Sequence, residues 1–276
     1  MKNIFKRISN VFKTIRHHRR QPLHLEFILS DYCNLNCKGC GHYSSLAEKE
    51  FVTLEQLERN ASHLGRVAAG GINSVYLIGG ETLLYPHLPE AMAILRKYFP
   101  NISVKLFTNG LMLPRMSDEF WESARQYEVE IAITRYPIAF DYDSAENLCR
   151  SRGVKHSVYG DRGKEGSFFR FALDPEKKQN GRISHFKCFN RGCLSVVGDR
   201  LYPCSMSACV DHLNKACGTD FRHLKGDWIN VCDIRSVAEI KKLRDKPVPF
   251  CSYCKPNPQP TPYGPSRRSI SEWVDK

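Results

Sequence analysis

The stretch Cys33-Asn-Leu-Asn-Cys37-Lys-Gly-Cys40 decides the fold, because it places three thiols in one short loop. It follows the apolar run Leu25-Glu-Phe-Ile-Leu29, which has the length and composition of a buried β-strand. Parallel α/β folds place their chemistry at the C-terminal ends of strands, where this loop would lie. Three thiolates can hold three corners of an iron-sulfur cube, whereas a closed structural zinc site takes four ligands. The pattern favours a cluster with one open iron, and half of a zinc site completed by distant thiols is the alternative.

Length and composition narrow the class of protein. The 276 residues are enough for one large α/β domain with an appendage. No stretch reaches the roughly 18 apolar residues of a membrane span, and the basic N-terminus lacks the apolar core of a signal peptide. We therefore expect a cytoplasmic protein. The 12 cysteines, with their clustered spacings, then indicate metal binding more than a disulfide framework.

Residues 1–22 are predicted to form a basic amphipathic helix outside the core. The first 20 residues carry seven Lys or Arg and no acid, which is more than half of the formal net charge of +12. Apolar residues recur there at helical spacing, namely Ile4, Phe5, Ile8, Val11, Phe12 and Ile15. Such a helix suits an anionic membrane surface, which would make the protein peripheral at the membrane, or an acidic partner. Packing of its apolar stripe on the barrel is the alternative.

From residue 25 to about residue 160, strand-like and helix-like runs alternate, which is typical of βα units and a parallel sheet. Six strands are predicted, at residues 25–29, 75–78, 104–108, 129–133, 154–158 and 168–173. Helices are predicted at 54–67, with Thr53 as its cap, and at 88–98, 118–127 and 144–152. Six such units predict an α/β fold, a partial (β/α)6 barrel that is open on one side, over residues 23–185.

Polar segments follow three of these strands on the same rim. Gly79-Gly80-Glu81 comes after the second strand, where the glycines would let a ligand approach the backbone and the carboxylate could pair with an ammonium. Thr108-Asn109-Gly110 follows the third strand and offers polar contacts or simply a tight turn. Arg135 follows the fourth strand and could bind a carboxylate bidentately, or it is an ordinary surface arginine. His42 and Tyr43 follow the cysteine loop and could line the same cavity.

A second group of cysteines lies in the C-terminal third. Alternating residues around Gly198-Asp199 predict a β-hairpin, which would bring together a cysteine from each end. Cys204 follows this hairpin, and Cys188 and Cys193 both precede it, so either of the two could be the second ligand. With the pair Cys251-Ser-Tyr-Cys254, they would form a closed four-thiolate site, which zinc could also fill. We assign residues 186–258 to this auxiliary domain, and we expect the proline-rich tail, 259–276, to wrap as an extended segment without chemistry.

The cysteine loop resembles that of the radical S-adenosylmethionine (radical SAM) superfamily, whose hallmark is the spacing CX3CX2C. Gly79-Gly80-Glu81 resembles the family's Gly-Gly-Glu-Pro segment, with Thr82 in place of proline. Gly39 stands where the family often has an aromatic residue, so any adenine contact there would be made by backbone. The resemblance implies a [4Fe-4S] cluster on Cys33, Cys37 and Cys40 whose open iron chelates SAM. One electron then cleaves SAM to a 5'-deoxyadenosyl radical that abstracts a substrate hydrogen.

The same resemblance implies roles for the rim and for the second cysteine group. Gly79, Gly80 and Glu81 would hold the methionine amino group, Thr108 and Asn109 the SAM ribose, and Arg135 a carboxylate of the cofactor or the substrate. The C-terminal part resembles the Twitch version of the SPASM auxiliary domain, which holds a second [4Fe-4S] cluster. Its ligands would be Cys188, Cys204, Cys251 and Cys254, with Cys188 favoured over Cys193 because the family's first ligand usually lies farther from the Pro-Cys segment.

The other cysteines are expected to be mostly buried small hydrophobic residues. By analogy with radical epimerases, Cys209 or Cys217 could instead donate a hydrogen atom to a substrate radical.

The resemblance favours an enzyme that dehydrogenates or epimerises a carbohydrate-type substrate, either a small molecule or a glycan. It implies an electron donor such as flavodoxin or ferredoxin. A peptide-modifying maturase is one alternative, and a non-catalytic iron-sulfur scaffold or electron carrier is another, although the intact Gly79-Gly80-Glu81 speaks against the second. The basic charge also suggests nucleic-acid binding, but the densest basic cluster lies in the N-terminal segment and not on the predicted rim.

Overall fold

The computed structural model of the protein describes residues 22–160, 167–188 and 190–275. The predicted N-terminal helix lies outside the described residues. The described residues form one mixed sheet of eight strands, with a second sheet of two strands beside it. No helix in these ranges is both long enough and apolar enough to cross a bilayer.

The first half of the chain has the predicted βα alternation. Its strands are parallel neighbours, β1 (His24–Ser30), β2 (Ser74–Gly79), β3 (Ser103–Thr108), β4 (Val129–Thr134) and β5 (His156–Tyr159). Its helices are α1 (Leu54–Ala68), α2 (Leu88–Tyr98), α3 (Asp118–Gln126) and α4 (Tyr142–Ser151). All of the predicted strands and helices of this half are therefore confirmed, with ends that move by up to two residues.

The core lies between these helices and the sheet. Every residue of β1 after His24 is buried, as expected for a strand that is covered on both faces. Helix α1 turns one face inward, with Leu57, Ala61 and Leu64 each at most 2% exposed. Its N-terminus is capped as predicted, because the Thr53 hydroxyl accepts a hydrogen bond of 3.2 Å from the amide of Gln56.

The prediction of a sixth barrel strand at 168–173 is wrong. The strand found there is the short β6 (Ser167–Arg170), which pairs antiparallel with β10 (Gln259–Pro262) in the separate sheet. The place beside β1 is taken by β7 (Leu194–Val197), which runs parallel to β1 and pairs Phe27 with Val196. Three of the four β7 residues are buried, whereas β6 ends in a charged residue and has no apolar partner strand to complete the core.

The predicted C-terminal hairpin is confirmed, and it extends the main sheet. Strand β7 turns at Gly198, whose φ of 58° is left-handed, into β8 (Arg200–Tyr202), and β8 pairs with β9 (Ile229–Asn230). The flanking helices are α5 (Gly181–Lys187), α6 (Ser205–Ala208), α7 (Val210–Cys217) and α8 (Val237–Asp245). The predicted core and auxiliary regions therefore share one continuous sheet, a mixed α/β fold in which no closed barrel is formed by the described strands.

Candidate functional site

The cysteine loop lies at the C-terminal ends of the parallel strands, where α/β folds carry their sites. Cys33, Cys37 and Cys40 line one cavity of about 120 Å³, which we call the core cavity. The ends of the neighbouring strands supply its other walls, with Gly79, Gly80, Thr108, Asn109, Thr134 and Tyr136 among the lining residues. The rim residues predicted from sequence are thus brought beside the three thiols, with the exceptions of Glu81 and Arg135.

Gly79 and Gly80 are required by the chain that enters the cysteine loop. The Gly80 amide donates to the Ser30 carbonyl oxygen at 2.6 Å, and the Glu81 amide donates to the Tyr32 carbonyl oxygen at 3.0 Å. A Cβ atom at Gly79 would lie 2.3 Å from the Ser30 oxygen, and one at Gly80 would lie 2.3 Å from the Tyr32 oxygen. From the sequence, we expected these glycines to let a ligand approach the backbone. The structure gives a second reason for glycine here, because the backbone that enters the cysteine loop also approaches them closely.

The Glu81 carboxylate joins the ends of β2 and β3. It is 1% exposed and accepts hydrogen bonds from the Thr108 hydroxyl at 2.6 Å, the Asn109 amide at 2.8 Å and the Leu83 amide at 2.9 Å. Burial raises the pKa of Glu81, and these hydrogen bonds oppose that rise. The predicted pairing of this carboxylate with an ammonium remains a prediction, because its oxygens are directed to protein donors.

The thiols of the cysteine loop sit in a protected environment. Burial raises the pKa of both Cys33 and Cys37 to about 12. The Leu35 amide donates to the Cys33 sulfur at 3.3 Å, and the Asn109 side-chain amide lies 3.9 Å from the same sulfur. Because cysteine binds metals as the thiolate, iron binding here must release protons.

Two orphaned polar atoms show that the core cavity suits a polar ligand. His42 Nε2 and Ser44 Oγ are buried and have no hydrogen-bond partner within the described chain, and both residues line the cavity. Burial lowers the pKa of His42 to about 4, so the ring is neutral at pH 7. Buried polar atoms are normally satisfied, so these two fit a site whose partner is a bound group. Tyr43, in contrast, is fully buried against Trp273 and does not line the cavity.

The predicted role of Arg135 is not supported by its position. Its guanidinium donates to Asp143 at 2.6 Å and to Glu146, both on α4, and it lies over the Tyr142 ring at 5.4 Å. Arg135 therefore links the end of β4 to α4 and is not among the residues that line the core cavity. Sequence spacing identified the correct rim but not the direction of the side chain.

Three aromatic residues at the core cavity were missed by sequence analysis. The ring of Tyr263 lies 5.6 Å from that of Tyr136 and 5.9 Å from that of Phe168, and we call these three residues the aromatic wall. Tyr136 and Phe168 line the cavity directly. Tyr136 follows Arg135 and could have been suspected from its rim position, whereas nothing in the proline-rich tail pointed to Tyr263.

The second group of cysteines also converges. Cys188, Cys204, Cys251 and Cys254 line one cavity of about 40 Å³, which we call the auxiliary cavity. Arg191 and Arg244 line it too and could balance the charge of thiolates. Burial raises the pKa of Cys251 to about 11, and it raises the pKa of Cys204 and Cys254 further, with the neighbouring thiols adding to each rise.

Cys193 lies outside the auxiliary cavity. Burial raises the pKa of Cys193, and the Glu26 carboxylate of β1 and the Cys204 and Cys188 thiols add to the rise. This placement agrees with the choice of Cys188 over Cys193. In neither cavity, nor elsewhere among the described residues, do three His, Cys, Asp or Glu side chains stand close enough to hold a single metal ion.

Cys209 and Cys217 do not line the core cavity, which argues against the predicted hydrogen-atom donors. Cys209 is buried, and its pKa is raised by burial and then by Asp31, Cys40 and Cys204. Cys217 ends α7, where burial and the Glu272 carboxylate raise its pKa.

Known proteins share both this sequence pattern and this fold. The profile of the Radical SAM superfamily matches residues 27–158, just under half of the chain. The antilisterial bacteriocin subtilosin biosynthesis protein AlbA of Bacillus subtilis is 30% identical over 105 residues, 38% of this chain and 22% of that protein. A probable GTP 3',8-cyclase of Thermoplasma volcanium is 31% identical over 129 residues, 47% of this chain and 37% of that protein.

Among solved structures, BtrN in complex with AdoMet and 2-DOIA superimposes with a TM-score of 0.53 at 14% identity. The match covers 86% of this chain and 94% of that chain, and it therefore concerns the fold of nearly the whole BtrN molecule. The alignments to the two curated relatives, in contrast, span well under half of their lengths.

Three observations point to the same family. They are the CX3CX2C loop, its place at the end of β1 and the sequence match over residues 27–158. Members of that family bind a [4Fe-4S] cluster and SAM, and the three loop thiols and the polar rim of the core cavity are suited to both. Over residues 27–158, the chain is therefore similar in sequence to the radical SAM superfamily.

Proposed function

We propose that this protein is a radical SAM enzyme with an auxiliary [4Fe-4S] cluster, and that it dehydrogenates or epimerises a carbohydrate-type substrate. One observation carries the proposal, namely the gathering of three loop thiols and the ends of β2 and β3 around a single cavity. When bound there, the cluster and SAM supply the 5'-deoxyadenosyl radical that abstracts a hydrogen atom from the substrate.

The residues of the chain have separable tasks in this proposal. Cys33, Cys37 and Cys40 would hold the cluster as thiolates, and three ligands would leave one iron without a protein ligand. Gly80 and Asn109 line the same cavity as these thiols, and the Glu81 carboxylate joins the ends of β2 and β3. Tyr136 and Phe168 of the aromatic wall line the same cavity and add aromatic surface to it.

The auxiliary site is proposed on its own geometry. Four thiols line this one cavity, namely those of Cys188, Cys204, Cys251 and Cys254. Cys188 follows α5, Cys204 follows β8, and the other two lie in the segment after α8. A cluster with these four ligands would have no open iron. A closed set of thiolates suits a cluster that transfers electrons rather than one that binds SAM. We infer that it accepts the electron of a substrate radical in an oxidation, and that a flavodoxin-like or ferredoxin-like protein reduces the core cluster.

Reductive cleavage of SAM tests the proposal directly. After reconstitution without oxygen, the wild type should convert SAM to 5'-deoxyadenosine and methionine when dithionite is added. Cys33→Ala should abolish the product, because the cluster then lacks a ligand. Cys232→Ala is the matched control, since this exposed cysteine lies outside both cavities, and it should behave as the wild type. If Cys33→Ala and the wild type form equal amounts of 5'-deoxyadenosine, the core cavity does not take part in SAM cleavage.

A peptide-modifying function is the second candidate, and the similarity to AlbA, a bacteriocin biosynthesis protein, favours it. The two candidates differ in the source of the abstracted hydrogen. With deuterated substrates, the label should enter 5'-deoxyadenosine from a deuterated carbohydrate under the first proposal. Transfer from a deuterated peptide and from none of the carbohydrates would replace the first proposal by the second.

A further inference from the structure

The C-terminal strap, which we define as residues 259–275, crosses the cysteine loop. From the sequence, we expected this segment to have no chemistry. In the structure, β10 places the strap beside β6, and from there the strap runs along the cysteine loop. The Lys38 amide donates to the Gly264 carbonyl oxygen at 2.9 Å, and the Ser266 amide donates to the Asn36 carbonyl oxygen at 2.7 Å. These bonds flank the bridge between Cys37 and Pro265, so the middle of the loop is paired with the strap as in a short sheet.

The end of the strap fixes the last cysteine of the loop. Trp273 is 0% exposed, and its indole Nε1–H donates to the Cys40 carbonyl oxygen at 2.9 Å. Its own carbonyl oxygen accepts from the Leu173 amide at 2.7 Å, which anchors it to the segment after β6. The backbone oxygen of Glu272 lies 3.5 Å from where a side chain at Gly39 would begin, so the strap also packs on the glycine of the loop.

One side chain of the strap reaches a cluster ligand itself. The hydroxyl of Tyr263 lies 3.7 Å from the sulfur of Cys37, within hydrogen-bonding distance for sulfur. The Tyr263 ring packs against Tyr136 and Phe168 of the aromatic wall, and these contacts support the position of its hydroxyl. When Cys37 is a thiolate it can only accept, and the hydroxyl then becomes the donor.

We propose that the C-terminal strap is part of the core site, and that Tyr263 tunes the core cluster by donating a hydrogen bond to the Cys37 sulfur. This inference rests on the proposed function, since it presupposes a cluster on the three loop thiols. Hydrogen bonds to ligating sulfur stabilise the reduced, more negative state of a cluster and so raise its reduction potential. Tyr263 is thus a positioning and tuning residue and not one that touches the reacting atoms.

The variant Tyr263→Phe tests the inference, because it removes the hydroxyl and keeps the ring that packs in the aromatic wall. A redox titration followed by electron paramagnetic resonance should give a more negative midpoint potential for the core cluster, at unchanged iron content. The core signal is identified as the one that SAM perturbs. Tyr98→Phe is the matched control, since the Tyr98 hydroxyl donates to Glu58 on the outer helices at 3.0 Å, and it should leave the potential unchanged.

A second variant tests the strap independently of the Tyr263 hydroxyl. Trp273→Phe removes the indole donor to Cys40 and should cause faster loss of iron from the reconstituted protein than Tyr98→Phe does. A potential for Tyr263→Phe equal to that of the wild type, or iron retention in Trp273→Phe equal to that of the control, would overturn the inference. If instead the wild type shows no signal that SAM perturbs, the proposed function itself fails.

Discussion

Glycine at position 80 is a requirement of the backbone that leads into the cysteine loop. Its missing side chain leaves room for the Tyr32 and Asp31 carbonyl oxygens, which would lie 2.3 Å and 2.8 Å from a Cβ atom. Both contacts are to backbone, which cannot turn aside as a flexible side chain can. The segment that would have to move is the one that sets the position of Cys33.

Gly80→Ala should therefore destabilise the protein and loosen the core cluster together. Overpacking of this kind costs about 1–3 kcal/mol. Thermal unfolding and iron retention of the reconstituted protein measure the two effects. Gly70→Ala is the control, since nothing lies within 4 Å of a Cβ atom there, and it should be neutral or slightly stabilising. Normal iron retention in Gly80→Ala would show that the loop tolerates the shift.

Glu81 matters because its two oxygens serve three donors. An amide at this position keeps one acceptor oxygen and turns an NH2 group toward at least one of the Leu83, Thr108 and Asn109 donors. Glu81→Gln should cost about 1.5–3 kcal/mol of stability, because a charge-assisted bond is lost in a buried place. It should also weaken SAM binding by about tenfold or more, as the Asn109 end of β3 becomes free to move.

Urea unfolding and equilibrium dialysis with SAM measure these two effects of Glu81→Gln. Glu58→Gln is the control, since that carboxylate pairs with Lys97 on the exposed surface and should contribute little to stability. If the Glu81→Gln protein is destabilised but binds SAM with the affinity of the wild type, this carboxylate stabilises the fold without contributing to SAM binding.

At the residue scale, sequence spacing identified thiols that line the two cavities and missed their neighbours. The cysteines were found because three thiols within one loop have few purposes other than metal binding. The direction of Arg135 was not predictable, since it depends on two carboxylates of α4 that come later in the chain. Tyr263 was equally hidden, because its contact with Cys37 joins residues 226 positions apart.

Among the elements, β7 is the one that joins the two thiol groups. It lies parallel to β1, with Leu25 opposite Leu194, so the strand that precedes the cysteine loop and the strand that begins the C-terminal hairpin are direct neighbours. The auxiliary cavity is thereby attached to the same rigid sheet as the core cavity. If both cavities hold clusters, as proposed, a shared sheet would keep the distance between the two clusters more constant than a flexible link would.

The choice of ligand before β7 gives a prediction for this element. Cys188 ends α5 and lines the auxiliary cavity, whereas Cys193 faces Glu26 of β1. Cys188→Ala should therefore lose about four irons per chain, the content of one cubane cluster, and Cys193→Ala should keep them. Iron and sulfide analysis after reconstitution distinguishes the two variants, and the reverse result would mean that the hairpin rearranges when the cluster binds.

The strands with strongly apolar sequences could be predicted from the sequence, whereas the place of β6 in the fold could not. The strands β1 to β4 are apolar runs followed by turn residues, so periodicity and composition found them. Residues 168–173 have a strand-like composition too, but pairing decides where a strand goes, and the partner of β6 lies about 90 residues later in the chain. Parallel pairing of β7 with β1 is likewise a long-range contact that local pattern cannot reveal.

The described part of the molecule combines two cysteine-lined cavities on one sheet, with a strap that pairs with the cysteine loop of the first. Sequence similarity accounts for residues 27–158, and the fold of BtrN extends the likeness to most of the chain. The strap and the hairpin then connect the two halves, because Tyr263 and Trp273 reach the cysteine loop from the last residues described. The account therefore depends on both cavities holding clusters in the same molecule.

Counting iron and acid-labile sulfide per chain tests this central claim most directly. After reconstitution without oxygen, the wild type should contain about eight of each, as expected for two cubane clusters, and the triple variant Cys33→Ala, Cys37→Ala, Cys40→Ala should contain about four. A wild type with about four irons and one zinc would contradict the account, because the C-terminal thiols would then form a structural zinc site.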